Sequence, residues 1–164
     1  MTARVQLAPL DEESLEPLLS VAAAEAQPEE VMPPVSAPAG WSQARREAFR
    51  VFHRLHFGGL GGPTRTQMYA VVVGGAVVGM IRLCHRDEPG DMETGLWLGR
   101  SARGQGIGRA ALRELLFEAA RHGAHAVHAT TTSGNTAALA LLRDCGARLR
   151  SDDGLVHAEI RLPH

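Results

Sequence analysis

The sequence predicts an α+β fold with seven strands and four helices, and three observations point to it. Two runs rich in β-branched residues, Met68 to Val73 and Ala76 to Leu83, flank Gly74-Gly75, a two-residue turn of the primed type. Apolar residues at three- and four-residue spacing mark helices, as in Leu15, Leu18, Leu19 and Ala22, and again in Ala110, Leu112, Leu115, Leu116 and Ala119. Between them, Glu93 to Gly108 joins a strand containing Leu96, Trp97 and Leu98 to a loop with glycine at every second position, before a helix starting near Arg109. At 164 residues the chain is expected to form one domain, 1–164, with a proper core.

In chain order, Arg4 to Leu7 suits a short first strand. Asp11, Glu12 and Glu13 suit the start of the first helix, where negative charge meets the helix dipole. Pro28 to Gly40 holds four prolines and is not expected to be regular helix. Ser42 is the predicted cap of a second helix reaching Phe57, with Ala44, Ala48, Val51, Phe52 and Leu55 expected to face the core. Gly58 to Pro63 ends that helix. After the hairpin, the polar loop His85 to Asp91 leads into the central strand. The helix following the glycine loop ends near Gly123, and Val127 to Thr132 is another strand. Asn135 to Cys145 is a short helix closed by Gly146. Ala147 to Arg150 and Leu155 to Leu162 form a last hairpin around Ser151-Asp152-Asp153-Gly154.

Composition removes several function classes. The net charge is −1 and arginine supplies all 17 basic groups, so nothing indicates wholesale nucleic-acid binding. Cys84 and Cys145 are the only cysteines and provide no disulfide framework. No basic region followed by an apolar run opens the chain, and no stretch of about 18 apolar residues occurs, so no membrane partner is expected and the cytoplasm is the expected compartment. His122, His125 and His128 lack cysteines or carboxylates at zinc-ligand spacing, so no metal site is expected. His53 and His56 read as packed or solvated, with a place in a substrate pocket as the competing reading.

The chemistry concentrates in Arg103-Gly104-Gln105-Gly106-Ile107-Gly108. Glycine lets the backbone take positive φ and lets a ligand approach main-chain N–H groups closely. The helix start adds unpaired N–H donors and a positive dipole end, which together suit an anion such as pyrophosphate. A nucleotide P-loop is excluded because the chain has no lysine. A dinucleotide fingerprint is excluded because Arg109 stands where it needs glycine.

What remains, R-x-x-G-x-G between a strand and a helix, resembles the acyl-CoA pyrophosphate loop of the GNAT (Gcn5-related N-acetyltransferase) superfamily. The wording E-x-G-x-W-L followed by R-G-x-G-I-G is most similar to its RimJ/RimL-type branch. A second element, Asn135 to Ala147, resembles the family pattern N-x-x-A-x-x-L-Y-x-x-x-G-F through Asn135, Ala138 and Gly146. It departs from that pattern at Leu142, where many relatives have tyrosine, and at Ala147, where they have phenylalanine.

The resemblance implies a GNAT fold, sandwich-like, with a mixed central sheet of six to seven strands flanked by helices. It implies acetyl-CoA as co-substrate. Contacts to it are expected from Trp97, Leu98 and Gly99 at the strand end, and from Arg103, Gly104, Gln105, Gly106, Ile107, Gly108 and Arg109 in the loop. Asn135 matches the asparagine that meets the pantetheine arm, and Ala138 lies beside it. The implied reaction is direct acetyl transfer to an amine. An amine attacks only when neutral, and an alkylammonium has a pKa near 10, so a proton must be removed.

Glu93 matches the acidic residue that often opens this strand in the RimJ/RimL-type pattern and is the candidate base; the competing reading is an edge carboxylate paired with an arginine. The tyrosine missing at Leu142 is the family's usual proton donor to the CoA thiolate, and Cys145 is either a packed thiol or its substitute. The expected acceptor is a small-molecule primary amine, such as an aminoglycoside-type antibiotic, since Asp11 to Glu30 carries seven carboxylates and no basic residue and would suit a polycation; the competing reading of that stretch is a solvated acidic helix face. A protein N-terminal amine, or a non-catalytic acyl-CoA-binding module, are the alternatives. The expected assembly is a monomer or homodimer.

Overall fold

The first strand, β1, runs from Val5 to Pro9, two residues further than hydrophobicity predicts. It lies at one edge of the sheet, where the N–H that proline lacks is not missed. The structure, a computed structural model, describes residues 4–163. Helix α1 spans Glu12–Glu25 and opens with a reciprocal cap: Asp11 Oδ1 accepts the Ser14 N–H, and Ser14 Oγ accepts the Asp11 N–H, both at 3.0 Å. Its predicted face, Leu15, Leu18, Leu19 and Ala22, is buried.

Two expectations fail in the next segment. A single helical turn, α2 (Pro28–Val31), forms inside the proline-rich stretch. Pro28 opens it, where no N–H is needed, and Glu30 accepts the Gln27 N–H at 2.7 Å. Pro33 and Pro34 then prevent its continuation. Helix α3 (Gln43–Arg54) is capped by Ser42 as predicted, yet its buried row is Phe49 and His53. Of the expected stripe, Ala44, Val51 and Leu55 are exposed and Ala48 and Phe52 only half-buried. The predicted stripe omits both Phe49 and His53 and is rotated away from the true face.

The remaining strands are β2 (Thr66–Val73), β3 (Ala76–His85), β4 (Asp91–Leu98), β5 (Ala126–Thr132), β6 (Arg148–Asp152) and β7 (Leu155–Arg161). They form one sheet in the order β1-β2-β3-β4-β5-β7-β6. Positive φ at both Gly74 and Gly75 gives the β2–β3 hairpin the primed turn predicted for it. Helices α4 (Ile107–Arg121) and α5 (Thr136–Asp144) complete the fold. At the end of α5 the Ala147 N–H donates to the Leu142 carbonyl at 3.0 Å, the six-to-one bond of a Schellman motif. The result is the mixed seven-stranded sheet with flanking helices that the sequence implies.

Two apolar clusters cover opposite faces of the sheet. Leu15, Leu18, Leu19, Phe49, Met68, Ala70 and Met80 hold α1 and α3 over β2 and β3. On the other face Ile81, Leu83, Met92, Val127 and Ile160 meet Ala111, Leu112 and Leu115 of α4. Ion pairs between α1 and α3, Glu12–Arg54 at 2.7 Å and Glu16–Arg50 at 2.6 Å, are solvent-exposed and use guanidinium throughout. Water screens such exposed pairs, so the buried leucines, at about 1.5–3 kcal/mol apiece, decide the packing.

All strand pairs are antiparallel except β4 with β5, and that pair is short. Asp91, Met92 and Glu93 match Ala126, Val127 and His128; beyond these residues the two strands part. The separation opens a cleft between the two strands.

Candidate active site

Where β4 and β5 part, a cleft opens between Thr94-Gly95-Leu96 and Ala129-Thr130-Thr131. Asn135, Ala138, Leu141 and Leu142 of the α5 segment close one side, and Leu112 of α4 its floor. The lining is mostly apolar, with the edges of two unpaired strands exposed to a guest. An extended chain bearing amides can bond to such strand edges.

The glycine loop stands at the end of this cleft. A 3₁₀ turn, Arg100–Ala102, leads to Gly104 and Gly106 at φ +73° and +79°, a region open to glycine and strained for other residues. A Cβ at either position would meet no protein atom within 4 Å, so the space beside them is empty. The first bond of α4 is from the Ala110 N–H to the Gly106 carbonyl, leaving the N–H groups of Ile107, Gly108 and Arg109 without intrahelical acceptors. Gly108 ties loop to cleft: a Cβ there would lie 3.5 Å from Leu96 and 3.6 Å from Leu141, both cleft residues. The arrangement fits a ligand with a phosphate head and an extended amide-bearing arm.

The predicted residues divide by what they can offer. Gly104, Gly106 and Gly108 shape the loop, while Ile107 is buried in the core and presents its backbone only. Arg103 folds back, its Nε donating to the Leu98 carbonyl at 3.0 Å, and Gln105 Nε2 donates to the Ser101 carbonyl at 2.6 Å. Arg109 pairs with Asp144 and joins α4 to α5. Leu98 is buried, and Gly99 donates its N–H to the Val78 carbonyl at 2.9 Å. Asn135 Oδ1 accepts the Ala138 N–H at 3.1 Å, so its oxygen caps α5 and its NH₂ remains to meet a carbonyl. The Trp97 indole lies on the α1/α3 side, away from α4, and its buried Nε1 has no hydrogen-bond partner among the described residues.

That side of β4 carries a second cavity of about 340 Å³, lined by Glu29, Glu30, Met32, Phe52, Arg82, Gly95 and Trp97 among others. Gly95 and Leu96 border both cavities, so the two meet across β4. Arg82 lies against Gly95, where any Cβ would stand 3.0 Å from its Nε. Glu93 shares this face and is 40% exposed at its side chain. Its Oε1 accepts from Arg82 at 2.9 Å, and Arg86 approaches its Oε2 at 3.9 Å. Glu93 is thus paired with arginine, the competing reading of the sequence, and lies two residues from Gly95 on the same face of β4.

The histidines divide as well. His53 is fully buried, stacked on Phe49 with ring centroids 3.9 Å apart. Its Nδ1 lies 2.7 Å from the Phe49 carbonyl and must carry the proton, leaving Nε2 without a partner among the described residues. Burial pushes its pKa down to about 4. His56 is half-buried against Thr64 Oγ1 at 2.8 Å, and burial lowers its pKa too.

Sequence reasoning missed two supports. Arg82 follows from hairpin register, since Cys84 opposes Glu93 and Arg82 opposes Gly95. Glu25 had no local signal. Its carboxylate accepts the Ser101 N–H at 2.6 Å, an interaction between residues 76 apart in sequence, and that bond holds its pKa below the usual value. The last turn of α1 thereby holds the loop that precedes the glycines.

Comparison with known proteins agrees with this geometry. The model of the acetyltransferase (GNAT) family matches residues 29–147, and the chain belongs to that family. It is an acetyl-CoA-dependent acetyltransferase. Comparison with curated proteins finds no match. Among solved structures, RimL, a ribosomal α-N-protein acetyltransferase in complex with coenzyme A, shares 19% identity at a TM-score of 0.73, covering 97% of this chain and 94% of its own. The GNAT domain of PAT from S. lividans shares 17% at a TM-score of 0.70, covering 98% and 90%. Spermidine N-acetyltransferase from Vibrio cholerae shares 13% at a TM-score of 0.71, covering 96% and 94%. These likenesses establish the fold, and their acceptors differ. Among the described residues no helix is long and apolar enough to cross a membrane.

Proposed function

We propose that this enzyme moves the acetyl group of acetyl-CoA to the primary amine of a small molecule by direct attack, with Glu93 removing the proton. The single observation that carries this is the parting of β4 and β5 after Glu93, with the glycine loop on one face and the Arg82 cavity on the other. An acyl chain threaded through the gap meets an amine arriving from the opposite face. The amine nitrogen attacks the acetyl carbon, a backbone N–H of β4 stabilises the oxyanion, and the thiolate departs. Glu93 takes the ammonium proton directly or through one water, since half its carboxylate is engaged by Arg82.

The thiolate proton comes from solvent. Leu142 is an apolar wall of the cleft, and Cys145 is a half-buried thiol whose pKa burial raises. A thiol with a pKa near 8.5 leaves adequately at neutral pH without an acid. A protein N-terminal amine is the second reading, favoured by the open polar sheet surface beyond the cleft. The acidic stretch no longer argues for a polycation. Of its seven carboxylates, Glu12, Glu16 and Glu29 pair with arginines, and Asp11, Glu25 and Glu30 accept backbone N–H groups.

The test is Glu93→Gln. We expect turnover to fall by roughly 10²-fold with acetyl-CoA binding nearly intact, and the acidic limb of the rate–pH profile to flatten. Turnover within a factor of about three of wild type would transfer proton removal to water alone.

A further inference from the structure

The face that carries Glu93 continues beyond the cleft, across β5, β7 and β6. Register aligns Glu93, His128, Glu159 and Arg148 in one row, and Thr130, His157 and Arg150 in the next. Helices α1 and α3 pack over β2 and β3 and leave this half open. A cavity of about 390 Å³ lies on it, lined by Arg86, His128, Thr130, Arg148, Arg150 and His157 among others. Ala129 and Thr130 also line the cleft, so this cavity reaches the point where the strands part.

Its charge is one-sided. Of the carboxylates nearby, Glu159 pairs with Arg161 at 2.7 Å and Glu93 with Arg82 at 2.9 Å, while Asp91 Oδ2 lies 3.5 Å from His128 Nε2, which makes no hydrogen bond among the described residues. Arg148 and Arg150 are exposed and form no ion pair with any described residue. Two guanidiniums two residues apart on a strand project to the same side and form a fork suited to a carboxylate. They cannot serve the phosphates of CoA, because the glycine loop lies on the opposite face of the sheet. Arg150 stands two strand spacings from Thr130, about 10 Å, a span that one small molecule or a short peptide bridges.

We propose that the acceptor bears a carboxylate beside its amine, and that Arg148 and Arg150, helped by His157 and Arg86, hold that carboxylate while the amine enters at Gly95. This deepens the amine-acetylation reading and rests on it. It makes the substrate class an acidic amine, either an amino acid-like small molecule or a peptide whose residues after the N-terminus are acidic. Both present the same group to the fork.

Matched acceptors test it: glutamate against glutamine, and an N-terminal Ser-Asp-Glu peptide against Ser-Asn-Gln, with wild type and the double variant Arg148→Gln/Arg150→Gln. We expect wild type to favour the acidic member of at least one pair by tenfold or more in kcat/KM. The double variant should lose most of that preference through KM, with kcat and acetyl-CoA affinity unchanged, and Arg148→Lys/Arg150→Lys should keep part of it. Which pair responds identifies the source of the carboxylate. Equal use of acidic and neutral members by wild type, or a preference that survives the double variant, would overturn the proposal. Calorimetric titration of the CoA-loaded protein with glutarate reads the fork without turnover. Binding weakened tenfold or more in the double variant supports it, and no difference refutes it. Glutarate bound at the arginines with no amine acetylated would keep the anion site and remove the amine-acetylation reading instead.

Discussion

At the scale of single residues, the loop shows how little protein separates a turn from a binding site. Gly104 and Gly106 take positive φ, yet the volume a Cβ would occupy is empty. The plain turn at Gly74-Gly75 leaves the same room; what sets this loop apart is the three helix N–H groups beside it without intrahelical acceptors, which suit a phosphate. Gly106→Val is therefore expected to weaken coenzyme A binding more than tenfold, at least about 1.4 kcal/mol, in a protein that still folds. Isothermal titration with coenzyme A checks it, and an unchanged affinity would remove the loop from the site. Asn135 gives the opposite lesson. Both meanings of an asparagine at a helix start, cap and ligand contact, are open to one side chain, because its oxygen accepts the Ala138 N–H and its nitrogen is left to donate.

Single elements were legible where their signals are local. The helix start at Asp11, the Ser42 cap and the Gly74-Gly75 turn stand where the sequence places them, since each depends on residues within four positions. Helix α3 was misread because its inward row contains His53, which becomes core only when buried beside Phe49 and Phe52. That burial has a pH signature. In the unfolded chain the imidazole binds its proton near 6.5, and in the folded one only near 4, so the unfolded state gains protons first as pH falls. Stability is full above about 6.5 and declines toward 4, by about 2 kcal/mol at pH 5 from this group alone. His53→Phe should narrow the gap between urea midpoints at pH 7 and pH 5, and an unaltered gap would show that the imidazole protonates in place.

At the scale of the whole molecule, the cleft itself was not legible. It depends on β4 and β5 pairing for three residues and no more, a matter of tertiary register that neither strand encodes locally. The fold and loop could be read from one stretch, while Arg82, Glu25 and the polar rows on β6 and β7 needed the sheet to be assembled. A ligand filling the gap should tie the two halves of the sheet together. Coenzyme A is expected to slow amide hydrogen exchange at Ala129 to Thr132 and at the start of α5, and to leave the β2–β3 hairpin unchanged. Equal protection everywhere would place the ligand outside the gap.

The ion pairs that join α1 to α3 and β3 to β4 are built from guanidinium because the chain has no lysine. An acetyl-CoA-dependent acetyltransferase thus exposes no side-chain amine to its own reagent. Acetyl-CoA accumulating beside it finds no ε-amino group to modify, so slow self-acylation cannot erode its charge pairs. The same property makes the protein silent to amine-reactive dyes at its side chains, and in a stopped reaction such a dye reports the proposed amine acceptor that remains.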